Sequence, residues 1–118
     1  MKEYIAHHEE RFLNELFSLL RIPSISAEPS HHADMLRCAD LWRELLLQAG
    51  ADEAKVMPSD GNPLVFAQKH VSDTAPTVLV YGHYDVMPVA PLELWKSAPF
   101  EPEVRDGRIW ARGADDDK

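Results

Sequence analysis

The run Val78-Leu79-Val80-Tyr81, framed by Thr77 and Gly82, constrains this chain most. Its apolar residues are consecutive and do not alternate with polar ones. A strand of that kind is apolar on both faces and belongs at the centre of a sheet covered by helices. The run ends in Gly82-His83-Tyr84-Asp85-Val86, so an imidazole and a carboxylate follow directly on the strand. Ligands in helix-covered sheets bind at the carboxyl ends of strands. The stretch from Thr77 to Asp117 therefore organises the chain, and the residues before Thr77 read as its scaffold.

That scaffold opens with an amphipathic helix over residues 3–21. Ile5, Phe12, Leu13, Leu16, Phe17, Leu19 and Leu20 recur near helical spacing, with Glu9, Glu10, Arg11 and Glu15 between them. Pro23 stops it, because proline disfavours helical backbone at the residue before it. The next stretch, Ile22 to Pro29, is a connector without a period. Its spacing of Ile22 and Ile25 among small polar residues predicts that it lies across a surface. A second helix is expected from Ser30 to Ala49, with Ser30 as N-cap and Gly50 as the left-handed stop. Short strands are expected at 54–57, 63–68 and 77–82, and a hairpin at 103–105 and 108–111 around Asp106-Gly107. Helices first and strands after give an α/β layout, with mixed-sheet strands and a closing hairpin. Two helices cannot cover both faces of a central strand, so the sheet is expected to be incomplete, with a further helix after Lys118.

Composition narrows the function. The 118 residues suit one small domain, and 45% hydrophobic with 27% charged residues is ordinary globular usage. A net charge of −8 argues against nucleic acid, which selects basic surfaces. No apolar run approaches the length of a membrane span, and the N-terminus lacks the apolar core of a signal peptide. A single cysteine, Cys38, excludes an internal disulfide framework and reads as a packing residue. The cytoplasm is the expected compartment.

Two places carry chemistry. In extended chain His83 and Asp85 point to the same side. The carboxylate can then accept one ring N–H while the other ring nitrogen binds a metal. His-x-Asp is short and common, and an ordinary polar loop pair is the alternative. Asp115, Asp116 and Asp117 are three adjacent carboxylates, which repel unless something positive sits among them. A divalent cation would relieve that repulsion; a solvated acidic tail is the alternative. Arg112 is a candidate to neutralise the run, and Trp95 and Phe100 are candidate loop anchors. His7, His8, His31, His32 and His70 read as surface residues.

Several motifs in order make the pattern more specific. Leu20-Arg21-Ile22-Pro23-Ser24-Ile25-Ser26, Gly82-His83-Tyr84-Asp85-Val86, Pro88, Trp95, Pro99-Phe100, Arg105-Asp106-Gly107 and Arg112-Gly113-Ala114-Asp115-Asp116-Asp117-Lys118 together resemble the dizinc metallopeptidase family M20. That family includes carnosinase-type dipeptidases, aminoacylases, carboxypeptidases and amide deacylases. The likeness is greatest to the dipeptidase branch. It implies a partial zinc-exopeptidase catalytic domain over residues 1–118. It implies two divalent ions, zinc first, with manganese or cobalt as substitutes. By position, His83 resembles a metal ligand, Asp116 the bridging aspartate, and Asp85 the catalytic-site carboxylate that orients the histidine. The peptide bond after the bridging aspartate is cis in the family. Asp115 stands where the family has a small or polar residue, which leaves the register of the acid run open.

The resemblance also implies parts that are not among these residues. The glutamate base, the remaining ligands and a lid domain carrying dimer contacts are expected after Lys118. The parent enzyme is expected to hydrolyse dipeptides or related amides, possessing a homodimeric form and no nucleic-acid or membrane partner. The alternatives are a deacylase of N-acyl amino acids, or a non-catalytic remnant or cation-binding module. The 118-residue chain alone is expected to be inactive.

Overall fold

The computed structural model describes residues 1–118. Helix α1 spans Lys2–Leu20 and α2 spans His32–Gln48. Strands β1 (Glu53–Met57) and β2 (Leu64–Gln68) form one antiparallel hairpin. Strands β3 (Glu103–Arg105) and β4 (Arg108–Trp110) form a second. Parallel pairing occurs once, as a bridge between Ile25 and Val86. The molecule is a flat slab of 53 × 41 × 19 Å.

Local chemistry accounts for most boundaries. Gly50, at φ +100°, ends α2 where a side chain would be strained. Asp106 and Gly107, at φ +54° and +70°, make the two-residue turn that joins β3 to β4. Ser30 is not an N-cap. A short 3-10 turn over Pro29–His31 precedes α2, and no side chain caps the helix. Proline at the first position of that turn already has the backbone angle the turn needs.

The core is small and lies between α1, the connector and α2. Leu19, Leu20, Ile22, Ile25, Met35, Cys38, Ala39 and Val86 are buried. Leu41, Trp42, Leu45 and Tyr84 pack against it. Helix α1 is buried at its C-terminal end alone; Tyr4 and Ile5 are exposed. On its other side α2 covers the β1–β2 hairpin. The connector lies across this core, as its spacing predicted. The Val86 amide donates to the Ser24 carbonyl at 2.9 Å, beside the Ile25–Val86 bridge.

One expectation fails. The run from Thr77 to Gly82 forms no strand with any other segment. Val78, Leu79, Val80 and Tyr81 are 80–89% exposed instead of buried on both faces. An apolar run records what a side chain prefers. A strand also needs a neighbouring row of N–H and C=O groups, and β1 pairs with β2 alone.

Candidate metal centre

The loop after Gly82 is fixed from below. Ser24, fully buried, donates its hydroxyl to the Tyr84 carbonyl at 2.6 Å. The Tyr84 ring packs against the core, and its hydroxyl donates to the Pro63 carbonyl. Burial, aided by the nearby Cys38 and Asp85, pushes that phenol up to about 12. Val86 is buried. Between these anchors, His83 and Asp85 are left partly open to solvent, with side chains 41% and 40% exposed.

The second half arrives from the chain's other end. Gly113, at φ +89°, passes so close to Val86 that an added Cβ would lie 2.9 Å from its side chain. The Lys118 ammonium donates to the carbonyls of Leu19 at 2.9 Å and Ile22 at 2.6 Å. Leu19 lies in the last turn of α1 and Ile22 just past its end, where a cation is favoured. Burial lowers the lysine's pKa, while nearby Cys38 and Asp34 act in the opposite sense. The Asp116–Asp117 peptide is cis, at the position the resemblance implied. The Asp117 carboxylate lies against Gly82, where a Cβ would come within 3.3 Å of its Oδ2.

These anchors bring His83 and Asp116 together across 33 residues. His83 Nε2 lies 3.0 Å from Asp116 Oδ1. On the other side of the ring, Nδ1 lies 3.1 Å from the Asp85 carbonyl and 3.2 Å from its Oδ1. Bonding to the Asp85 carbonyl is the first cause of a raised His83 pKa; desolvation opposes it, and the bond to the Asp116 carboxylate with the charges of Asp85 and Asp116 adds to it. Each ring nitrogen thus faces an oxygen acceptor, and a cation replacing the proton at Nε2 would leave the remaining ring proton on Nδ1, toward Asp85. All three expected site residues therefore meet in one place.

The donor set suits a divalent ion. Adjacent donors on one tetrahedral zinc ion, each about 2.0–2.2 Å from it, sit roughly 3.3–3.6 Å apart. The 3.0 Å between Nε2 and Oδ1 is a hydrogen-bond length, a few tenths of an ångström short of that spacing. The chain's own cations are turned away from the acid run. Arg112 stacks on Trp95, with its guanidinium 4.9 Å from the ring, and donates to the Pro88 carbonyl. It does not neutralise the acids, because the aromatic face and that carbonyl hold it. Trp95 is a loop anchor as expected, its indole N–H donating to the Val89 carbonyl at 3.0 Å. Lys118 faces α1. His83 is the basic group left for the carboxylates. No group of three or more His, Cys, Asp or Glu side chains is arranged to hold a metal.

The sequence alone assigned no role to Ser24, Ser26 or Lys118. The small polar residues alternating with Ile22 and Ile25 were the available signal for the two serines. Nothing local marks Lys118, whose partners lie 96 and 99 residues away.

An α/β scaffold here brings an imidazole and a carboxylate to one shared point. Comparison with known proteins makes it specific. The sequence model of Peptidase family M20/M25/M40 matches residues 79–118. The chain is 39% identical over 93 residues to a succinyl-diaminopimelate desuccinylase of Paraburkholderia xenovorans, covering 78% of this chain and 24% of that protein. It is 35% identical over 112 residues to a cysteinylglycine-S-conjugate dipeptidase of Corynebacterium striatum, covering 94% of this chain and 24% of that protein. Among solved structures, the di-peptidase Dug1p of Saccharomyces cerevisiae superposes with a TM-score of 0.89 at 26% identity, over 98% of this chain and 27% of that one. Human carnosine dipeptidase 1 superposes with a TM-score of 0.86 at 26% identity, over 97% and 26%. The chain belongs to peptidase family M20, with the α/β fold of its catalytic domains. It spans about a quarter of the length of these relatives.

Proposed function

We propose that residues 1–118 form the N-terminal portion of a metallopeptidase catalytic domain, and that the protein containing them hydrolyses dipeptides or related amide bonds. The observation that carries this is the meeting of His83 Nε2 and Asp116 Oδ1 at 3.0 Å, with Asp85 on the far side of the ring. The dipeptidase relative and the two dipeptidase structures support the substrate class. A related M20 metallo-carboxypeptidase from Sulfolobus solfataricus, with a TM-score of 0.78 at 37% identity over 88% of this chain and 23% of that one, supports a metal.

Each residue has a role in this reading. His83 offers a neutral nitrogen lone pair at Nε2. Asp85 holds the ring proton on Nδ1 and makes Nε2 more basic. Asp116 offers Oδ1 beside that nitrogen, and its other oxygen has no protein partner, so it is available to a second cation. Divalent ions bound there, zinc for preference and manganese or cobalt as substitutes, supply water activation and carbonyl polarisation for amide hydrolysis. Lys118 and Ser24 hold the two loops in register. A cytoplasmic location and a homodimeric parent complete the proposal.

A second reading is an N-acyl amino acid deacylase, favoured by the desuccinylase relatives. The same donors serve either reaction, and substrate recognition elsewhere in the protein decides between them.

Zinc titration of the chain by calorimetry tests the site. His83→Ala and Asp116→Asn are each expected to weaken the tightest binding event at least tenfold. Equal affinity in both variants would overturn the assignment. Assay of the full-length protein on parallel panels of dipeptides and N-succinyl amino acids then separates the two substrate classes.

A further inference from the structure

We infer that Ser26 is a positioning residue for His83, acting through Asp85. The inference rests on the reading of His83 as a metal ligand and extends it outward. The Ser26 hydroxyl donates to Asp85 Oδ2, while Asp85 Oδ1 faces His83 Nδ1 at 3.2 Å. The two oxygens of one carboxylate are thus divided between a hydroxyl and the imidazole. The relay runs Ser26, Asp85, His83, Asp116, across side-chain contacts that separate residues by 59, 2 and 33 positions, the middle one being the 3.2 Å approach of Asp85 Oδ1 to Nδ1.

Asp85 needs such a partner. Its side chain is 40% exposed, and a carboxylate open to water turns freely about its last torsion. The Asp85 carbonyl also accepts from Nδ1, at 3.1 Å, but a neutral carbonyl adds less to ligand basicity than a carboxylate does. Keeping Oδ1 on the ring requires Oδ2 to be held elsewhere, and Ser26 is the one side chain bonded to it.

Ser26 is itself held well enough to do this. Two residues earlier, Ser24 is buried, with its hydroxyl on the Tyr84 carbonyl and its own carbonyl on the Val86 amide. Ile25 between them is 3% exposed and bridges Val86. Three ties within two residues fix the connector against the His83 loop. Ser26 is exposed and contributes nothing to the core, so its hydroxyl has no packing role to explain it.

The test uses the whole chain, metal-free, at a pH where His83 is neutral. Ring nitrogen–proton correlation spectra report which nitrogen of His83 carries the proton. In the parent chain the proton is expected to divide between Nδ1, facing Asp85, and Nε2, facing Asp116. Ser26→Ala is expected to move a measurable fraction of it to Nε2, leaving His31 unchanged and the amide spectrum native. Ser26→Thr, which keeps the hydroxyl, is expected to restore the parent pattern. Asp85→Asn combined with Ser26→Ala should match Asp85→Asn alone, because Ser26 works through that carboxylate. Zinc added to the same samples should bind His83 roughly three- to tenfold more weakly in Ser26→Ala, at or below the range for partners one bond closer to a metal. An unchanged His83 proton position in a folded Ser26→Ala chain overturns the inference. An altered proton position with no zinc response in any chain sustains the Ser26 relay and overturns the metal reading instead.

Discussion

Replacing Ser24 by alanine removes one hydroxyl and tests whether the connector holds the metal loop. Ser24 is fully buried, and its Oγ donates to the Tyr84 carbonyl at 2.6 Å. The other donor near that carbonyl is Cys38 Sγ at 3.9 Å, a weak partner. The substitution therefore leaves a part-buried carbonyl poorly satisfied. Such a loss destabilises by about 1–3 kcal/mol, against roughly 0.5 kcal/mol or less for an exposed side chain. The expected value for Ser24→Ala is about 2 kcal/mol, a large share of a small domain's roughly 5–15 kcal/mol. Urea unfolding followed by tryptophan fluorescence reads it, since Trp42 packs against the core. The midpoint should fall with the slope unchanged. Ser24→Ala and Cys38→Ala share one acceptor, so their double-mutant cycle should show coupling of about 0.5 kcal/mol or more. A loss below 0.5 kcal/mol in Ser24→Ala, with no coupling to Cys38, would refute the reasoning.

Three further outcomes are expected. Gly113→Ala should destabilise by about 2–4 kcal/mol, from positive φ and a 2.9 Å clash with Val86, whereas Gly107→Ala, with open space around it, should lose about 1 kcal/mol; urea denaturation compares them. Tyr84 has its phenol raised from 10.0 to about 12, so the stability it contributes is full below pH 10 and is lost as pH rises to 12. Discounted for the ring's partial exposure to solvent, that loss is about 1 kcal/mol, and Tyr84→Phe should flatten the alkaline limb of a stability–pH curve. The isolated chain with zinc or manganese should not turn over a dipeptide panel, and metal-dependent turnover abolished by His83→Ala would contradict that.

Sequence patterns were legible where the determinants are local. Both helices, the strands at 53–57 and 64–68, and the hairpin around Asp106-Gly107 follow from periodicity and turn chemistry within a few residues. The meeting of His83 with Asp116 followed from ordered motifs and the resemblance they carry. What stayed hidden depends on distant partners. The strand expected at 77–82 lacks a neighbour to pair with, and no side-chain pattern reports that. Arg112 was expected among the acids and lies on Trp95, because an aromatic face and a carbonyl compete for it. Ser30 lost the N-cap to the turn that Pro29 starts.

The Lys118 anchor has a kinetic consequence. The hairpins close within a few residues, whereas Lys118 joins Leu19 and Ile22 across 99 and 96 positions, and Ser24 joins Tyr84 across 60. Long loops lose more chain entropy on closure, and high contact order slows folding. The hairpins are expected to gain amide protection early in refolding. The His83–Asp116 site, which exists only once both ends of the chain have met α1 and its connector, is expected to gain it late, so the slowest step in refolding also brings the proposed metal donors together.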